Sequence, residues 1–453
     1  MHEYGKRARL KSGAVRSVDG LPDATRRTFL RTVAVQAVAL PAASVLAAHG
    51  GPLAAATLGP GTAPSVPGSG DGTVRPIVRE FADPWLELVR LLREAAEVEH
   101  ALMVQYLYAA FSLKPAYAAI AGYGAPNADD LLGVAVQEMQ HLGAVNRFLV
   151  AIGSCPHLER QDFPYEPAIY PFAFHLEPLS RHSLAKYVYT EAPPDALDRT
   201  GAGPEDARFI DEVFAALGTE RRPNHVGSLY EQIIALVGEL RQSGSAPKHV
   251  DFDGWAAAFE AIKDEGEIDH YLFFRKLFTG RHEGLAAAMG GTGNAWDLPR
   301  SDPRYPAFDI AVDPSAFIGH PGQIMDGTAL RIAWLGNLEY WTVLCLLDNH
   351  YREGGDWAVE RARAHMVGAM LPIARTLGAR GAALPFDALS MGYAPGTDGA
   401  LSRLAILRLV REAQDVARSL GPDLPGDFPW DVHADTIAAI QGDVVLAGFG
   451  TRR

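Results

Sequence analysis

The chain has 453 residues, 48% hydrophobic and 21% charged, which is ample for a large packed core and too apolar for a disordered protein. Its formal charge is −13; setting aside residues 1–49, with eight basic and three acidic side chains, leaves 33 basic against 51 acidic residues, a net −18. So acidic a body repels phosphate backbones and anionic lipid, which argues against nucleic acid as a partner.

Residues 25–31 read Thr-Arg-Arg-Thr-Phe-Leu-Arg and lead into an Ala-rich apolar run from Val33 to Ala48, interrupted by Pro41. Small residues at Ala42-Ala43-Ser44 and Ala47-Ala48 suit a cleavage site, and the run is short and weakly apolar for a bilayer span. The stretch resembles a twin-arginine signal, so residues 1–49 are expected to be a signal peptide read by the twin-arginine export machinery. That resemblance implies a periplasmic or secreted protein, exported already folded. Residues 50–72 are mainly Gly, Pro, Ala, Ser and Thr, and 50–80 is expected to be a flexible linker. No later segment approaches a membrane-spanning length, so no membrane span is expected after processing. The two cysteines, Cys155 and Cys345, have a spacing that requires neither a disulfide nor a metal site.

From residue 84 the pattern is helical. Leu88, Leu92, Ala95, Glu99, Leu102, Tyr106, Ala109 and Leu113 recur in threes and fours, the buried seam of a bundle helix over 84–113. Glu99 stands in that apolar stripe, where a carboxylate costs several kcal/mol unless a cation or hydrogen bonds compensate it. The neighbouring Glu97 shares a face with Arg90, Arg93, Glu94 and Gln105 and is expected to be solvated; His100 falls between the two faces. A second helix over 128–152 carries Leu131, Val134, Glu138, His141, Val145, Phe148 and Ile152 in its seam. Glu138 and His141 are one turn apart and face the same way, as two ligands of one ion must.

A helix over 254–278 has the seam Trp255, Phe259, Ile262, Gly266, His270, Phe273 and Leu277, with Glu267 flanking His270. One Glu on one helix and Glu-x-x-His on the next is the ligand arithmetic of ferritin-like dinuclear carboxylate proteins, which need two such halves. Glu99 with Glu138/His141 makes one half, and Glu267/His270 part of the other. The missing carboxylate falls between 153 and 253. Glu191 ends a short helical run on the same face as Leu184, Tyr187 and Val188. Glu231 has the more regular spacing, but points roughly 140° from the apolar face of the helix at 225–242. Glu191 is preferred, with Glu231 as the alternative.

Residues 297–326, rich in Pro, Asp and Gly, read as a loop, and helices resume at about 328–350, 357–378 and 400–420. Glu339, Asp348, His350 and His365 lie there without a paired seam; Glu339 and His350 are candidate second-site ligands, with a structural role the simpler reading. No Gly-rich phosphate loop, Ser-His-Asp signature or basic aromatic stripe occurs. The division expected is therefore signal 1–49, linker 50–80, metal domain 81–296, loop 297–326 and helical region 327–453.

Several motifs in order resemble the ferritin-like domain of the iminophenyl-pyruvate dimer synthase (violacein-synthesis) group. They are Glu97-Val-Glu-His-Ala-Leu-Met-Val-Gln-Tyr-Leu-Tyr108, Gln137-Glu-Met-Gln-His141 with Asn146 and Ala151-Ile-Gly-Ser-Cys-Pro156, Leu179-Ser-Arg-His-Ser-Leu184 through Thr190-Glu-Ala-Pro193, Val226-Gly-Ser-Leu-Tyr230, and Glu265-Gly-Glu-Ile-Asp-His-Tyr271. The likeness covers about residues 84–280, with a weaker echo from Asn337 to Met370. Ser228 stands where that family tends to an acid, which favours Glu191 over Glu231. The resemblance implies an all-α fold, a ferritin-like four-helix bundle with a metal site, here with an additional C-terminal helical half.

The function expected is an exported dinuclear oxidoreductase with two metal ions, iron or else manganese, since carboxylates and imidazoles suit both. It would use O2 or peroxide and an electron donor to oxidise a small organic substrate, with Tyr106, two turns from Glu99, as a candidate catalytic residue. The alternative is a metal-binding or iron-storage protein without turnover. The long excursion between His141 and Glu267 and the added helical half count against a storage cage.

Overall fold

Helix α1 (Pro84–Ser112) starts where Asp83 accepts hydrogen bonds from the Trp85 and Leu86 amides and Pro84 presets the first turn. Its seam pattern predicts one buried stripe, yet burial runs almost all round it and takes in Glu87, Glu94 and Gln105. Arg90 makes that tolerable at the first turns, reaching Glu87 at 2.6 Å and Glu94 at 3.2 Å. Helix α2 (Leu131–Ala151) is capped by Asp130 and makes the most extensive helix contact with α1.

Two helices then share the place of one. Helix α3 (Arg181–Glu191), opened by a Ser180/Ser183 capping box, packs along 271–278. After α4 (Pro204–Leu217), helix α5 (Val226–Gln242) packs on α1 and along 252–265. The sixth helix, α6, joins Phe252–Glu265, a π-helical turn Gly266–His270 and Tyr271–Phe278. In that turn the Tyr271 N–H bonds the Gly266 carbonyl five residues back.

The C-terminal helices gather on α7 (Gly327–Glu353), which is buried along most of its length. Helix α8 continues through Asp356–Arg363, a second π-helical turn Ala364–Met370 and Leu371–Ala379. Pro372 cannot donate to the carbonyl four residues back and its ring crowds it, so a widened turn just before it relieves the clash. Helices α9 (Gly399–Leu420) and α10 (Val432–Asp443) complete the layer. The stretch between Asp297 and Gly327 is loop, held to the bundle by Lys114 N–H to Pro306 O (2.9 Å) and Phe308 N–H to Ser112 O (2.8 Å).

The computed structural model describes residues 77–160, 172–219, 226–244, 246–291, 293–388 and 399–443, all within one compact unit. The expected signal peptide and all but the last residues of the expected linker lie outside them. Among the described residues the fold is all-α, with two isolated bridges in place of any strand. No described helix is long and apolar enough to cross a membrane. Cys155 is exposed, Cys345 buried, and no disulfide joins them.

Candidate metal centre

Four polypeptide segments deliver polar side chains to one point in the bundle. Glu99 comes from the middle of α1, Glu138 and His141 from α2, Glu191 from the last turn of α3, and His270 from the π-helical turn of α6. Each is no more than 5% exposed. Glu138 stands at the centre. Its Oε2 is 3.1 Å from His141 Nδ1 and its Oε1 is 3.0 Å from His270 Nδ1. Glu99 completes one side, 3.5 Å from His141 Nδ1, and Glu191 the other, 3.7 Å from His270 Nδ1. The potential donor atoms of Glu99, Glu138 and His141 all lie within 4.8 Å of one another, as do those of Glu138, Glu191 and His270. Glu138 belongs to both groups, as a carboxylate bridging two ions would.

Both imidazoles turn Nδ1 inward and are held from behind. Glu265 Oε2 meets His141 Nε2 at 2.9 Å, and Gln137 Oε1 lies 3.3 Å from His270 Nε2. Gln137 also donates to Glu265, tying the two supports together. The outer carboxylates are held by phenols: Tyr230 donates to Glu99 Oε1 and Tyr106 to Glu191 Oε1. Polar partners behind metal ligands fix their orientation and raise their basicity.

Electrostatics shows how strained this set is on its own. Burial, then the neighbouring Glu138, pushes the Glu99 carboxyl up to about 8, and the same two causes raise Glu191. Burial would raise Glu138 too, but the His270 and His141 charges hold it well below the usual range. The histidines run the other way: against burial, Glu138 lifts His270 to about 10 and raises His141. Glu138 Oε1 and His270 Nδ1 are within ion-pair distance but lack hydrogen-bonding alignment, and neither has another hydrogen-bond partner. Two such buried atoms converging among carboxylates and imidazoles fit a pair of divalent transition ions.

A cavity of about 20 Å³, room for one water-sized body, lies at this centre, and Glu99, Glu138, His141, Glu191 and His270 all line it. Thr190 of α3, Val226, Gly227 and Tyr230 of α5, and Lys263 and Glu267 of α6 complete its wall.

The structure thus brings Glu99, Glu138, His141, Glu191 and His270 together and treats other candidates differently. Glu231 is exposed on α5, 3.8 Å from Lys263. Glu267 lines the same cavity as these five but falls outside both close ligand groups, while Glu265 reaches His141. Tyr106 touches Glu191 and does not line the cavity, so its reach to the centre is through that carboxylate. Glu97 is not solvated: its side chain is 18% exposed and pairs with His157, because the polypeptide after α2 folds back over that face of α1. His100 sits between Glu159 O and the Tyr340 hydroxyl, away from the ligands, and burial lowers it to about 3. His350 bonds Gly355 O in the turn after α7 rather than joining Glu339. Gln137, Tyr230 and Glu265 are the polar contributors that helical phase did not single out.

Residues 92–278 match the model of a family described as Ferritin-like. This part of the chain is a ferritin-like helical bundle. The chain is also similar to dichlorochromopyrrolate synthase of Lentzea aerocolonigenes, 27% identical over 354 residues, covering 64% of this chain and 34% of that protein. The chain therefore spans about a third of the length of that curated relative. No solved structure matches it.

Proposed function

We propose that this chain is an exported dinuclear metal oxidoreductase, di-iron or else dimanganese, that oxidises a small organic substrate with O2 or peroxide. The observation that carries the reading is Glu138, whose two oxygens each face a different histidine and which belongs to both ligand groups. The named relative is by its name a synthase of a small organic molecule, which supports substrate turnover over storage.

Glu99 and His141 would hold one ion, Glu191 and His270 the other, and Glu138 both. The bound pair would supply the redox chemistry and an open position for the oxidant. The protein's part is positioning and proton control. Tyr230 and Tyr106 hold one oxygen of each outer carboxylate, and their hydroxyl protons lie where a proton can pass to that carboxylate. Gln137 and Glu265 lock the ring orientations, and the apolar seams of α1, α2 and α6 keep bulk water out. The cavity between α3 and α5 admits a small oxidant, while Lys263 offers the cation nearest its wall for an anionic substrate group.

Metal analysis of the purified protein, followed by O2 uptake with a reductant, tests the reading. About two ions per chain that are lost with Glu138→Ala and His270→Ala, and repeated uptake, are expected. Many ions per chain would mean storage, and two ions inert to O2 would mean a scaffold; either result overturns the proposal.

A further inference from the structure

The C-terminal helices hold a second convergence of ligand-type side chains, remote in sequence from the first. Glu339 of α7 and His365 of α8 are 0% exposed and His433 of α10 is 1% exposed. Glu339 Oε2 lies 2.5 Å from His365 Nδ1 and Glu339 Oε1 lies 2.6 Å from His433 Nε2. One donor atom from each of the three falls within 4.8 Å of the others.

The far side of His365 decides how to read this. Its Nε2 is 2.9 Å from Thr436 Oγ1, and the Thr436 hydroxyl donates its only proton to Val432 O at 2.9 Å. Thr436 Oγ1 is then an acceptor, so His365 Nε2 carries a proton. In a neutral imidazole that leaves Nδ1 as a lone pair, facing a carboxylate oxygen. Two acceptors that close repel unless they share a cation: a second proton on the ring, or a metal ion beside the pair, whose bonds of about 2.0–2.2 Å would spread the two atoms apart. The posture also matches the dinuclear centre, where His141 and His270 are held at Nε2 and turn Nδ1 toward carboxylates. Two imidazoles and one carboxylate from three helices are a common donor set for a single divalent transition ion.

We infer that Glu339, His365 and His433 form a mononuclear site for a divalent transition ion such as zinc or ferrous iron, cross-linking α7, α8 and α10. This does not rest on the proposed oxidoreductase activity, and its readout is metal content and stability.

The test uses the full chain carrying Glu138→Ala and His270→Ala, which empties the dinuclear centre. Titrated with Co2+, this variant is expected to take up about one ion per chain with a ligand-field absorption band, and a chelator should lower its melting temperature. Adding His433→Ala should abolish both the band and the chelator effect. Where that triple variant fails to fold, Glu339→Gln in the same background keeps shape and hydrogen-bonding capacity and should still lose the ion. No Co2+ uptake by the folded double variant would overturn the inference in favour of a buried imidazolium–carboxylate network. So would uptake that survives both Glu339→Gln and His433→Ala.

Discussion

Removing Glu138 should cost more than removing any other ligand of the dinuclear centre, and the geometry says by how much. Its two oxygens serve both ligand groups, whereas Glu99 and Glu191 serve one each. Glu138→Ala should therefore lose both ions, while Glu99→Ala and Glu191→Ala should each chiefly weaken one side. Glu138 is also the carboxylate that does most to raise the two buried histidines, with Glu265 and Glu99 adding at His141 and Glu191 at His270. Deleting one partner of a buried ion pair costs about 3–5 kcal/mol, an upper figure here because the histidines can shed their protons instead. For a domain of this size that corresponds to a drop in melting temperature of roughly 5–10 °C. Glu97→Ala is the control: it loses a half-buried pair with His157, costs about 1 kcal/mol and leaves metal content intact. Metal analysis and thermal unfolding of the four variants read the result. If Glu138→Ala keeps both ions while Glu97→Ala loses metal, the centre has been placed on the wrong face of α1 and α2.

Gly266→Ala would set a Cβ 3.1 Å from Glu191 Oε2, a carboxylate that Tyr106 keeps from swinging aside. The helix should gain about 1 kcal/mol of propensity while metal binds about tenfold more weakly on the Glu191/His270 side; undiminished affinity in a metal titration would refute the crowding. Glu177→Ala would leave the Lys186 ammonium, 4% exposed, without its carboxylate, and should cost about 3 kcal/mol in chemical denaturation. Burial pushes Glu177 up, but the His182 hydrogen bond and the Lys186 charge hold it below its ordinary value. Its contribution is therefore present above the unfolded carboxyl's pKa and lost as pH falls through the folded one. The difference between wild type and variant should shrink on acidification, and a constant difference would contradict the assignment. For export, Arg26→Lys with Arg27→Lys keeps charge but removes the paired arginines, and should abolish periplasmic yield measured by fractionation.

Much of the centre was legible in the sequence because an α-helix converts spacing into direction. Glu99, Glu138 and His141 interrupt seams of large apolar residues, and a charge in such a seam needs a partner. Glu191 was preferred over Glu231 on the same ground, and the structure places the first in the centre and the second on the surface. Glu97 shows the limit of phase on α1. A polar face marks what a residue would prefer, not what later polypeptide covers, and here His157 covers Glu97. Glu339 is a candidate second-site ligand by sequence, paired there with His350, but its partners in the structure are His365 and His433, from two other helices, one of them beyond the predicted elements.

The remaining difference lies in α6, and it is a difference of helical pitch. In an α-helix residue i−3 or i−4 shares the face of residue i, which is why Glu267 is the expected companion of His270. In a π-helical turn the hydrogen bonds close over five residues, so residues i−4 and i−5 share that face and i−3 turns away. The Tyr271 N–H bond to Gly266 O puts His270 in such a turn. Glu265, five residues back, is swung toward the centre, where it supports His141, and Glu267 lines the cavity outside the two close ligand groups. Gly266 is part of the same arrangement, because a Cβ there would crowd Glu191. The widened turn thus leaves Glu138 as the carboxylate common to both ligand groups and keeps Glu267 beside the opening, facing Lys263 and whatever enters there.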